Sequence, residues 1–179
     1  MIKILSRGLY VLYIILLIWL VLFKFSFQIL SVFDHHRRSL NLVPFAAPSI
    51  VKDGGINYGE MILNCIFFIP FGLLLHVNFK TIGFLPKLAF ILFFSLTAEI
   101  IQYICAIGAT DITDVITNTT GGLLGLALYG FSNRYINTKK LDSIIIAGGI
   151  VLLVLFISVH ASHFLGRRSR DKFIEAYNK

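Results

Sequence analysis

The sequence predicts an all-α polytopic integral membrane protein, with about five transmembrane helices in one compact bundle, on three observations. Of 179 residues, 57% are hydrophobic and only 14% charged. That is more apolar surface than a soluble domain of this length can hide, because surface area shrinks slowly with size. The apolar residues are also gathered into long runs almost free of charge. Each run approaches the ~20 residues a helix needs to cross ~30 Å of hydrocarbon, where only helices or closed barrels satisfy their own backbone groups. Strand-like alternation is absent, which leaves a barrel without support.

In chain order the runs are Gly8–Phe23, Met61–Phe79, Leu88–Ala109, Val115–Phe131 and Ser143–Gly166. The first follows Lys3 and Arg7, like the front of a signal peptide, but no small-residue cleavage site precedes Lys24 and Phe25, so it reads as an uncleaved anchor, residues 8–23. The second contains Pro70, which removes one backbone hydrogen bond and is expected to kink its helix. The third is interrupted by Glu99, and the fourth opens with Asp111, Asp114 and Asn118. The fifth, residues 143–166, leads into a basic tail, residues 167–179. No repeat or low-complexity stretch divides the chain, and the one long connection runs from Lys24 to Glu60, so a single membrane domain, residues 1–179, is expected.

The net charge of +7 needs no nucleic acid to explain it. Lys and Arg are concentrated beside the spans, where anionic lipid attracts each by roughly 1 kcal/mol, and no aromatic-basic recognition module is present. Membrane lipid is the expected partner. Orientation is less decisive. With the N-terminus in the cytoplasm, that side holds Lys3, Arg7, Lys80, Lys87, Arg134, Lys139 and Lys140, against Lys24, Arg37, Arg38, Lys52, Arg167, Arg168, Arg170, Lys172 and Lys179 opposite. The usual excess of basic residues inside is therefore not met unless the last segment is re-entrant.

Alternation of the helices gathers nearly every unusual polar residue at one end of the bundle, whichever side that is. Asn41, Pro44, Glu60, Asn64, Glu99, Gln102, Asp111, Asp114 and Asn118 share that half. An ionised carboxylate near the middle of a bilayer costs roughly 2.5–3.5 kcal/mol on insertion scales, so such groups face a partner, a cavity or a proton path. Asp111, Asp114, Asn118, Gly121 and Gly125 fall on one narrow helical stripe. Ser95, Glu99, Gln102 and Ala106 form a stripe on the third span, and the two stripes are expected to meet, with Glu60 and Asn64 closing the third side. Gly121 and Gly125 form a small-xxx-small pair that admits a close helix, or a second copy of the chain. Asp111 and Asp114 also suit a helix N-terminus, where acids meet the helix dipole.

At these residues the chain resembles the VanZ-like family, named for an accessory protein of low-level teicoplanin resistance in Gram-positive bacteria. The resemblance rests on Asn41-Leu42-Val43-Pro44-Phe45, on Asn64 with Phe68-Ile69-Pro70-Phe71-Gly72, on Glu99-Ile100-Ile101-Gln102, and on Asp111-Ile112-Thr113-Asp114 followed by Asn118-Thr119 and Gly121-Gly122. It covers residues 41–130. Many members carry a basic residue just before the aspartate pair, where this chain has Ala109-Thr110, so an anion-binding role for that residue does not transfer. The resemblance implies a bacterial plasma-membrane protein tied to the cell envelope, to glycopeptide antibiotics or to lipid-linked envelope precursors. It implies no defined reaction.

The residues themselves leave three readings open. Glu99, Asp111 and Asp114, with amide oxygens, are a candidate set for Mg²⁺ or Ca²⁺, which prefer oxygen ligands; that would suit a membrane enzyme acting on a phosphorylated lipid. The same groups, Asn41, Glu60, Asn64, Glu99, Gln102, Asp111, Asp114 and Asn118, equally suit a non-enzymatic ligand pocket. A hydrogen-bonded polar plug fixing helix register, with a protonated Glu99 donating to Asn64 or Gln102, is the third. No metal is assigned, and the balance leans away from an enzyme. Gly121, Gly122 and Gly125 are assigned to helix packing. His35-His36-Arg37-Arg38 reads as a headgroup-contacting loop, His160 and His163 as the end of the last helix, and Cys65 and Cys105 as buried free thiols. Asn118-Thr119-Thr120 matches a glycosylation acceptor but lies within a span.

Overall fold

The computed structural model describes residues 2–23, 39–45, 49–50, 56–107 and 109–177. Their elements are α1 (Ile2–Phe23), β1 (Ser39–Asn41), β2 (Ser49–Ile50), β3 (Ile56–Asn57), α2 (Gly59–Asn78), α3 (Phe84–Cys105), β4 (Ala109–Asp111), α4 (Ile112–Ser132) and α5 (Thr138–Tyr177). Helices dominate, and the all-α reading holds. Lys24, His35, His36, Arg37, Arg38, Lys52 and the side chains of the basic tail lie outside the described residues.

Burial departs from the pattern of a soluble protein. Ser95, Gln102 and Asn118 are fully buried and Glu99 is 2% exposed, whereas Phe93 and Ile104 are 62% and 64% exposed. A hydrocarbon solvent produces this arrangement, since apolar side chains are at no disadvantage facing lipid while every polar group needs an internal partner. Residues Lys3–Phe23, Gly59–Asn78, Phe84–Cys105 and Thr138–Val159 are long and apolar enough to cross a membrane. Helix α4 is equally long but carries Asp114, Thr117, Asn118, Thr119 and Thr120, which lower its hydropathy. Its polar stripe is covered instead by α2 and α3. The apolar core lies between α1, α2, α3 and α4 around Leu17, Phe68, Phe71, Leu74, Ile91, Leu126 and Tyr129.

Several boundaries depart from the charge-free runs: α1 begins at Ile2, and α5 runs from Thr138 to Tyr177, so His160, His163 and most of the stretch expected as a tail lie within that helix rather than at or beyond its end. Helix α3 begins at Phe84, so Lys87 is inside it and 2% exposed. It ends at Cys105 rather than Ala109, because Ala106 turns into the left-handed region at φ 53 and its N–H folds back to the carbonyls of Gln102 and Tyr103. Glycine is the usual occupant of such a cap, so the sequence gives little warning of it. The reversal returns the chain as β4 over the end of α3. There β4 pairs in parallel with β1, in the register Ser39↔Ala109, Leu40↔Thr110 and Asn41↔Asp111. A second, antiparallel pair joins β2 and β3.

The tightest packing is between α2 and α4. A Cβ at Gly121 or Gly125 would fall within 3.0 Å of the carbonyl oxygen of Cys65 or Ile69, and one at Gly72 would strike the Gly122 carbonyl. The Gly121/Gly125 pair therefore seats α2, not α3. Gly122, one position round the helix, meets the Ile91 side chain of α3. Because α2 fills the glycine face within the chain, that face is not free for a second copy. Pro70 is accommodated inside α2, and the Tyr13 hydroxyl of α1 donates to the Phe67 carbonyl in the preceding turn at 2.7 Å. A neighbouring helix thus supplies a donor beside the bond that proline removes.

Candidate functional site

The polar residues picked out in the sequence meet where α2 and α4 begin and α3 ends. Asp111 is the N-cap of α4: its Oδ1 accepts from the Thr113 N–H at 2.8 Å, and its Oδ2 accepts from Asn41 Nδ2 at 3.1 Å. The first bond satisfies one of the four orphan donors of the helix start. The second is a product of the β1–β4 register, which sets Asn41 opposite Asp111. Asp114, one turn deeper, is 6% exposed, and its Oδ1 accepts from Asn64 Nδ2 of α2 at 2.8 Å.

Glu99 closes the group from below. Its Oε2 accepts from the Asp111 N–H at 3.0 Å, and its carbonyl accepts from Thr110 Oγ1 at 3.1 Å. The helix reversal at Ala106 explains this, since it lays β4 directly on the Glu99 side chain. Asn118, a further turn down α4, donates to Ser95 Oγ of α3 at 2.9 Å, and among the described residues its Oδ1 has no hydrogen-bond partner.

The stripes on α3 and α4 thus meet at Ser95–Asn118 and, through β4, at Glu99–Asp111, and Asn64 closes the α2 side as expected. Two residues stand apart. Gln102 turns away from α4 and donates to the Val21 and Leu22 carbonyls at 2.9 and 3.4 Å, capping the last turn of α1. Glu60 lies exposed in the first turn of α2. Cys65 and Cys105 are free, but neither is buried; Cys105 is exposed and Cys65 half-buried.

Sequence reasoning missed Thr110 and Thr113. Thr113 Oγ1 accepts from the Phe45 N–H at 3.0 Å, tying the turn after β1 to the start of α4. Phe45 is held at φ 58, a conformation that non-glycine residues seldom adopt. The signal was the interleaving of threonine with aspartate in Thr110-Asp111-Ile112-Thr113-Asp114, since a short hydroxyl beside each acid is what a crowded turn uses to satisfy its backbone.

Chemically, the cluster is a graded polar wedge. Asn118 and Glu99 at its base are buried, Asp111, Asn41 and Asn64 are half-buried, and Glu60 is exposed. Leu42, Val43 and Phe45 stand beside its outer edge, 66%, 61% and 54% exposed. The carboxylates are engaged by amides and backbone N–H groups rather than turned to one point. Among the described residues no three His, Cys, Asp or Glu side chains are grouped so as to hold a metal ion.

Comparison with known proteins agrees with the motif reading. The chain is 65% identical to Protein VanZ of Enterococcus faecium over 161 residues, which are 90% of this chain and 95% of that protein. No solved structure matches. A model of the family described as VanZ/LLP1 matches residues 10–133, a stretch that takes in most of α1 as well as the whole polar wedge. This chain is a membrane protein and belongs to the VanZ/LLP1 family.

Proposed function

We propose that the chain is a multi-pass protein of the bacterial plasma membrane and a non-enzymatic envelope factor in low-level teicoplanin resistance. In this reading its polar wedge receives the glycopeptide or a lipid-linked envelope precursor on the outer face. The identity to Protein VanZ supports the resistance role. The observation that carries the binding role is the juxtaposition of Asp111 and Asn41 with the exposed apolar turn Leu42–Phe45. Acid and amide acceptors beside an apolar lip suit an amphiphile with a donor-rich head and a lipid tail. The bonds beneath, from Asn64, Thr110 and the Asp111 N–H, hold that rim in place rather than react.

The test is teicoplanin susceptibility of a sensitive Gram-positive host expressing the chain. Wild type raises the inhibitory concentration, and Asp111→Ala or Asn41→Ala returns it toward the host value at equal membrane abundance. No change with wild type would overturn the resistance reading. Full resistance from both variants would overturn the role of the rim.

A further inference from the structure

At the end of the bundle opposite the acids, a cleft of about 290 Å³ lies between α1, the end of α2, the turn that follows it and the start of α5. Its lining includes Lys3, Ser6, Arg7, Asn78, Lys80 and Asp142. We propose that this cleft is a binding site for a phosphate group, carried by an anionic lipid headgroup or free in solution.

Three cations from two separate stretches of chain converge there, with a single carboxylate. Asp142 is already engaged on both oxygens: Oδ1 accepts from the Tyr129 hydroxyl at 2.8 Å, and Oδ2 pairs with Lys80 Nζ. Lys3 and Arg7 have no anionic partner among the described residues. They sit at i and i+4 on α1 with Ser6 between them, on the stripe that continues into buried Tyr10. Like charges at that spacing repel, and an anion held between them removes the repulsion.

The floor supplies neutral polar groups. Ser6, 4% exposed, donates to Asn78 Oδ1 at 2.9 Å, and Asn78 Nδ2 donates to the Leu74 carbonyl at 2.8 Å, which fixes the amide and leaves its second hydrogen for a ligand. An arginine fork with a lysine and an amide donor is a donor set that suits phosphate oxygens. The volume is near the lower end, about 300 Å³, of ligand pockets, enough for a headgroup and too small for a larger ligand. Basic residues are common beside spans for orientation alone. Lys139 and Lys140 are such residues, outside the cleft; Lys3 and Arg7 are exposed too, but they line it.

The experiment measures phosphatidylglycerol bound to the full-length protein by native mass spectrometry, with phosphatidylcholine and inorganic phosphate as competitors. We expect Lys3→Gln/Arg7→Gln to weaken phosphatidylglycerol binding about thirtyfold, as two lost interfacial cations imply. Lys139→Gln/Lys140→Gln should leave it unchanged, and Arg7→Lys should retain part of it. Displacement by inorganic phosphate would identify free phosphate as the ligand; resistance to it would identify the headgroup. Either supports the site. Unchanged binding by the Lys3/Arg7 variant, or an equal loss in the Lys139/Lys140 variant, overturns it.

Discussion

Asn64 donates to Asp114 across the α2–α4 interface at 2.8 Å, one residue before the Cys65 carbonyl against which Gly121 packs. The polar pair and the glycine contact are therefore one feature. The absence of side chains at Gly121, Gly125 and Gly72 brings the two backbones together, and that approach sets Asn64 within reach of a carboxylate on the facing helix.

Removing the donor takes a hydrogen bond from a buried carboxylate. Asn64→Ala should lower stability by about 1.5–3 kcal/mol, the usual worth of a hydrogen bond to a charged group. Unfolding in a detergent titration reads this directly, and Asn64→Gln should recover less than half, because the longer amide does not fit the same register.

Gly121→Leu should do more damage. Its side chain would have to displace the α2 backbone, and overpacking of this kind costs about 1–3 kcal/mol even where flexible side chains can yield. Thermal stability in detergent should fall sharply. Gly130→Leu, at a glycine with open space around it, should leave the transition where it was.

How much of this was legible in the sequence differs from element to element. The helices were, because runs of apolar residues have few other uses at this length. Asn64 and Glu99 were legible as well, since an amide or acid in such a run demands a partner. The β1–β4 pairing was not: three-residue strands carry no usable period, and the pairing depends on the turn at Ala106, where a residue other than glycine takes the left-handed cap. Gln102 was assigned to the wrong neighbour for a related reason. Helical spacing gives the stripe a residue occupies, but not which of two adjoining helices its long side chain reaches.

Depth separates Glu99 from Glu60. Glu99→Ala should reduce both membrane abundance and teicoplanin resistance, because Glu99 Oε2 holds the Asp111 N–H and is 2% exposed. Glu60→Ala, at an exposed position, should change abundance little. Equal losses in the two variants, read by immunoblot of membranes and by susceptibility, would contradict the wedge geometry.

The opposite end offers an independent check. Tyr129→Phe removes the hydroxyl that donates to Asp142 and leaves the ring stacked on His76, with centroids 4.0 Å apart. A hydrogen bond to a charged acceptor is worth about 1.5–3 kcal/mol. The variant should lose stability within that range without altering resistance, since the change is remote from Asp111 and Asn41.

The proposed role depends most directly on which side of the membrane the acids face. A single cysteine at Leu42, 66% exposed beside Asn41, in a Cys65→Ala/Cys105→Ala background, reports it through an impermeant maleimide. Labelling in intact cells is the predicted result and places the wedge where glycopeptides and exported precursors are met. Labelling only after lysis would put the wedge in the cytoplasm and contradict the proposed role.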